Sequence, residues 1–340
     1  MPRHCRFLAL ILLFFYLPPL LVLGACGRPA APEALPRPAL LADVDPDADV
    51  VFSIAHGEGP DSALQQALEN FSQTVWLESR GRLKIELYPD NCLGGPETQL
   101  QLAAQGLAGA VLLTPAQIAF ALSAENLPDP GWLSLLPPFA YLSPEEAMAA
   151  ALGSRGQALN QDLGSLGLLS LGWLYGRERV LAAASQPLAS PQDFQGLCFA
   201  VDEEIQPLLS PMFSALGAES RATLFWRLPQ DLDEEILDGG EGPLARFWQE
   251  KDANRLPYLS LLGHSYDLLN LLVNEAGFMA LDETCREAFL AALPALIKDQ
   301  RELAAAEEAR MLEDLNAAGV QVFLAGASLR EEFRDYVLAP

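Results

Sequence analysis

The sequence predicts a two-lobed α/β fold with a cleft between the lobes. Strand and helix patterns alternate from Val50 to Leu113, a second set begins after Ser143, and the helical stretch from Asp282 to Ala318 is longer than either lobe would be.

In the first set, Val50-Val51-Phe52-Ser53-Ile54-Ala55 reads as a buried strand. Leu64, Leu68, Phe71 and Val75 then recur on one face of a helix that Gly81 stops. Leu83, Ile85 and Leu87 alternate with polar residues as a period-two strand. A helix from about Gly95 to Gln105, ended by Gly106, leads to a third strand at Ala110–Leu113. This order implies a parallel sheet covered by helices, because parallel strands need long crossover connections.

In the second set, Ser143-Pro144-Glu145-Glu146 has the form of a capping box with Pro at the first helical position. Leu168–Trp173 and Leu197–Val201 are strand candidates, with a loop at Pro187–Pro191 between them. Ligands of such sheets sit outside the carboxyl ends of the strands. The stretch from Asp282 to Ala318, stopped by Gly319, would span roughly 55 Å as a helix and therefore brace both lobes. Pro294 predicts a kink within it.

The chain has 340 residues, with 45 Asp and Glu against 21 Lys and Arg, for a net charge of -24. That balance excludes nucleic acid as a partner, since polyanion binding depends on cations that neutralise phosphates. A 51% hydrophobic content excludes whole-chain disorder. The acidic blocks Asp202-Glu203-Glu204 and Asp231-Leu232-Asp233-Glu234-Glu235 read as solvated surface, the second on a helix.

The N-terminus carries an address. Arg3, His4 and Arg6 precede an apolar run from Phe7 to Leu23, which has the form of an export signal. The run is short for a membrane span and contains Pro18-Pro19. Gly24-Ala25-Cys26 resembles the bacterial lipobox, which implies a signal peptide over 1–25 and lipidation of Cys26. Residues 26–47 are rich in Pro and Ala and read as an extended tether. Of the remaining thiols, Cys92, Cys198 and Cys285 allow at most one disulfide and read as separate buried groups.

Seven segments in order carry a further resemblance: Ser79 to Pro89, Leu93-Gly94-Gly95, Gln105-Gly106, Leu136-Pro137-Pro138-Phe139, Pro187 to Leu197, Asp238-Gly239-Gly240-Glu241, and Gly263-His264-Ser265-Tyr266 before Val273-Asn274. From about Val50 to Leu329 the chain resembles the solute-binding proteins of TRAP transporters, of the dicarboxylate-binding type. The resemblance implies a periplasmic-binding-protein-like clamshell with parallel-rich sheets, crossing strands and a long bridging helix. Lobe 1 would comprise 48–177, completed by about 265–300, and lobe 2 would comprise 178–264, completed by about 301–340. Such a protein stands in the periplasm, closes on a small organic acid and delivers it to TRAP membrane permease subunits.

The resemblance also places the ligand site, and this chain departs from it. The family's main ligand Arg falls at Ala200, in Gly196-Leu197-Cys198-Phe199-Ala200-Val201. Each charge-assisted hydrogen bond lost is worth roughly 1.5 to 3 kcal/mol, so losing two could cost about two orders of magnitude in affinity for a carboxylate. Gly242 replaces the family's Asn after Glu241, and Phe225-Trp226-Arg227 lacks its Glu. Arg179 matches a second ligand Arg, and Phe225 matches a pocket aromatic. Arg221 and Arg227 are candidates for a displaced guanidinium or for ordinary surface cations.

His56 with Glu58 and Asp61 could be drawn as a metal or catalytic group, but loop capping accounts for the same residues, so no metal, cofactor or enzymatic activity is expected. Two functions remain open. One is a lipid-anchored binding protein with an atypical site, taking a small organic solute that is an acid by the resemblance or, given the missing Arg, a neutral or cationic one. The other is the same fold kept as a membrane-tethered interaction or sensory component with no small-molecule cargo.

Overall fold

The computed structural model describes residues 49–250 and 252–339. The expected signal peptide, Cys26 and the tether lie outside the described residues. The first set begins with β1 (Val50–His56), α1 (Ala63–Glu78), β2 (Leu83–Tyr88), α2 (Pro96–Ala104) and β3 (Ala110–Leu113). Strand β1 pairs in parallel with both β2 and β3. Helix α1 buries Leu64, Leu68, Phe71 and Val75, the face read from the sequence, and is capped by Ser62 Oγ accepting from the Gln65 amide.

Next come α3 (Pro115–Ala124), α4 (Pro144–Leu152) and α5 (Ser154–Asp162). The capping box expected at Ser143 is only half formed. Ser143 Oγ accepts from the Glu146 amide, but the Glu146 carboxylate reaches one residue further back, to the Leu142 amide. A complete box forms instead between Thr114 and Gln117 at the start of α3.

Strand β4 (Leu168–Ala183) is 16 residues long, well beyond the expected Trp173. After it come β5 (Cys198–Val201), α6 (Gln206–Ala215), β6 (Glu219–Ala222), α7 (Leu228–Asp233), β7 (Gly239–Pro243), α8 (Leu244–Glu250), β8 (Tyr258–Leu261) and β9 (Tyr266–Asn274). The chain closes with α9 (Glu275–Met279), α10 (Glu283–Ala317), β10 (Gln321–Leu324) and α11 (Ala327–Val337).

The strands are ordered β2-β1-β3-β9-β4-β7-β5-β6, with β8 also on β4 and β10 on β8. Pairing is parallel on the flanks and antiparallel where β4 and β9 cross. The first part of β4 bonds β9, and its last residues bond β7 and β8. One strand is therefore shared by both halves of the sheet. A bulge interrupts it between Tyr175 and Glu178. At the bulge, a Cβ on Gly176 would lie 1.9 Å from the Asp267 carbonyl oxygen, so only glycine fits.

Helix α10 runs unbroken through Pro294. Near its start, Phe289 packs edge-on against Phe71, with ring centroids 4.9 Å apart, in a core that also holds Phe52 and Leu271. Near its end, Met311 and Leu315 enter a different core with Val180 and Leu259. The helix thus packs on both lobes, as its length requires.

One surface expectation holds in part and one fails. Helix α7 stops at Asp233, and Asp231 is buried there, capping the turn that follows through its own carbonyl, but Asp233, Glu234 and Glu235 are exposed, so the acidic run is solvated apart from Asp231. Cys198 and Cys285 are buried as expected, but Cys92 is exposed, on the turn after β2, and all three thiols are free.

Candidate functional site

The cleft is a cavity of about 540 Å³. One wall is built from the carboxyl ends of β1 and β3, which present His56, Glu58 and Thr114. The other comes from the ends of β5 and β6, which present Asp202, Glu204 and Phe225. Arg177 and Arg179 of β4 and Asp267 of β9 form the floor. Arg177 and Arg179, two residues apart on β4, enter the cleft together because alternate side chains of a strand share a face.

Arg179 is buried and held by acids on three elements. Its Nε and Nη2 donate to both oxygens of Glu241 at 2.7 and 2.9 Å, Nη2 also reaches Asp202 at 3.3 Å, and Nη1 reaches Asp267 at 3.4 Å. Glu241 is fully buried and also lies 3.0 Å from His264 Nε2. Burial alone would raise the Glu241 pKa, but Arg179 and His264 outweigh it and hold the carboxyl at about 2. Arg179 therefore acts as the strut of the crossing strands, with its donors largely used inside the protein.

The other positions marked by the sequence are placed differently. Ala200 is fully buried among Val180, Ala182 and Leu228, and Ala200, Glu241 and Gly242 do not line the cavity. The parity of β5 turns Ala200, like Cys198, into the lobe core. Phe225 does line the cleft, and the guanidinium of Arg246 stacks on its ring with Cζ 3.7 Å from the centroid. Gly242 makes room for it, since a Cβ there would lie 3.0 Å from Arg246 Nη1. Arg246 is fixed by Asp202 at 2.9 Å.

Arg246, which sequence reasoning missed, is a guanidinium lining the cleft, where Ala200 supplies none. Arg221 and Arg227 are exposed, pair with neighbouring Glu219 and Asp231, and do not line the cleft. Arg177 was missed too. It pairs with Glu307 of α10 at 2.6 Å and with Glu58 at 3.3 Å, and its Nη1 is buried without a hydrogen-bond partner. No local spacing pointed to Arg246, because Gly242 lies in β7 and Arg246 in α8.

Asp202-Glu203-Glu204, read as solvated surface, lies on the cleft wall. Burial, reinforced by the charge of Asp202, raises Glu204 to about 7. Burial also raises Glu58 and Asp267, against the opposing pull of Arg177 and Arg179 respectively. His56 is buried with Nε2 2.9 Å from Gln65 Oε1, and burial lowers its pKa. Asp61 is exposed. Among the described residues, no group of three or more His, Cys, Asp and Glu side chains is arranged to hold a metal.

A family model for bacterial extracellular solute-binding proteins, family 7, matches residues 54–339. The chain is 24% identical over 256 residues to the 2,3-diketo-L-gulonate-binding periplasmic protein of Escherichia coli strain K12, covering 75% of each chain. It is 23% identical over 303 residues to the C4-dicarboxylate-binding periplasmic protein of Rhodobacter capsulatus, covering 89% of this chain and 86% of that one. Among solved structures, a TRAP periplasmic solute-binding protein from Ochrobactrum anthropi superposes with a TM-score of 0.76 at 22% identity, over 85% of this chain and 88% of that one. One from Chromohalobacter salexigens with bound D-glucuronate gives 0.70 at 22% identity, over 84% and 92%. The two-lobed α/β fold is common to them.

Proposed function

The chain belongs to the bacterial extracellular solute-binding proteins of family 7, a family of transport components and not of enzymes, and on that premise we propose that it captures a small organic acid in its cleft and delivers it to the membrane subunits of a TRAP-type permease. The observation that carries this reading is the cavity itself. Its two walls come from opposite halves of the sheet, so a solute touching both favours the closed state. Relatives named for 2,3-diketo-L-gulonate and C4-dicarboxylates support an organic acid. With Ala200 in the lobe core, Arg246 is the guanidinium placed to meet that acid.

The test is a thermal-shift screen of sugar acids, dicarboxylates and amino acids. A cognate solute at a hundred times its Kd adds about 2.7 kcal/mol of stability, and Arg246→Ala should weaken its binding at least tenfold. If no compound raises the melting temperature, the second reading gains, a membrane-tethered component without cargo. What favours that alternative is the engagement of Arg179 by three acids of its own chain.

The anchor belongs to the same proposal. Cleavage before Cys26 and lipidation of its thiol would hold the protein on the periplasmic face of a membrane, with residues 26–47 as the tether. Cells supplied with labelled palmitate should mark the wild-type chain, and Cys26→Ser should remain unlabelled and leave the membrane fraction. Labelling that survives the substitution would disprove the anchor.

A further inference from the structure

We infer that the organic acid held in the cleft also carries a protonated amine, so that the solute is an amino acid or a close amino-carboxylate. The inference rests on the solute-binding reading above and narrows its ligand class. It starts from the balance of charge around the cavity. Three guanidiniums line it, those of Arg177, Arg179 and Arg246, and each is already paired with a carboxylate of the chain. Five carboxyls line it as well: Glu58, Asp202, Glu203, Glu204 and Asp267. Glu241 and Glu307, just behind, take up much of the positive charge of Arg179 and Arg177.

A simple anion entering this cleft meets more acid than base and finds most guanidinium donors in use. An ammonium group meets the reverse. Glu204 of one wall and Asp267 of the floor come from different elements of the fold, so a cation between them touches both the second lobe and the crossing strands. Among the described residues Glu204 has no ion pair, and its one hydrogen bond is a long one, 3.4 Å from Gln117 Nε2. A half-buried carboxyl in that position is satisfied by a donor from the solute.

A carboxylate on the same solute is called for by the opposite side of the site. Arg177 Nη1 is a buried donor with no partner in the protein. Arg177 lines the cavity. The solute would therefore lie with its carboxylate toward Arg177 and Arg246 and its ammonium toward Glu204 and Asp267. A cavity of about 540 Å³ is of the size that takes small metabolites.

The experiment is calorimetric titration of the purified chain, residues 26–340, with the twenty common amino acids and ornithine. Succinate, glutarate and D-glucuronate serve as amine-free acids. We expect at least one amino acid to bind tenfold or more tightly than any amine-free acid, and Glu204→Gln to weaken it at least fivefold. An amine-free acid that binds as tightly as the best amino acid, or tight amino acid binding that Glu204→Gln leaves unchanged, overturns the amine and leaves the solute-binding reading standing. Silence of every probe overturns both.

Discussion

Replacing Arg179 with Met is expected to lower the stability of the folded protein by about 3–5 kcal/mol, the usual cost of removing one member of a buried ion pair. The substitution keeps an unbranched apolar stem but removes every donor that Glu241, Asp202 and Asp267 now share. Glu241, with no exposure to water, would be left with His264 as its remaining partner. Urea titration at pH 7.5 measures the loss. A change below about 1 kcal/mol would mean that Arg179 is not a strut and is free to meet a ligand.

The pH dependence adds a signature. In the wild type Glu241 titrates at about 2, below its ordinary 4.5, so the stability it contributes is present above pH 4.5 and lost as the pH falls toward 2. Without Arg179 the carboxyl takes up a proton more readily, and the deficit of the variant should shrink between pH 7.5 and 4.

Glu204→Gln should have the opposite effect and stabilise the protein at pH 8. Glu204 is raised to about 7 in the fold from an ordinary 4.5. An acid whose pKa is raised on folding favours the native state below its unfolded pKa, and that contribution disappears as the pH climbs through the folded value. At 1.36 kcal/mol per unit, the wild type gives up about 3 kcal/mol between pH 4.5 and pH 8. The substituted amide keeps the shape of the side chain and the contact with Gln117 but cannot ionise. The gain in melting temperature should therefore be largest at pH 8 and vanish by pH 5. A gain that is equal at both pH values, or a loss at pH 8, would show that the fold does not disfavour the Glu204 carboxylate.

Glu204 also marks where the sequence misled. Three acids in a row look like water-facing surface, and nothing local says otherwise. Their position just beyond the carboxyl end of β5 decides the matter, and that is a property of sheet order. The same is true of β4, whose apolar pattern stops near Trp173 because Gly176, Arg177 and Arg179 serve the bulge and the cleft. By contrast, α1 and β2 were legible from a regular apolar period, β1 from its apolar run, and α10 from its helical composition and length. Ala200 was read as a departure from the family pattern, but Arg246, which lines the cleft, was not found. Arg246 lies 46 positions further along the chain, and only the packing of Phe225 beneath it and the bare backbone of Gly242 beside it single it out.

The strand order has a consequence for how the chain reaches its fold. Strand β3 ends at Leu113, yet its outer neighbour is β9, which begins at Tyr266. Until that late segment arrives, the first half of the chain has an open strand edge and lacks the aromatic ring of Phe289 against Phe71. Neither half can complete itself early, and contacts across such sequence distances form slowly. A polypeptide that delays its own collapse stays threadable, which is what passage through a membrane channel requires of any chain.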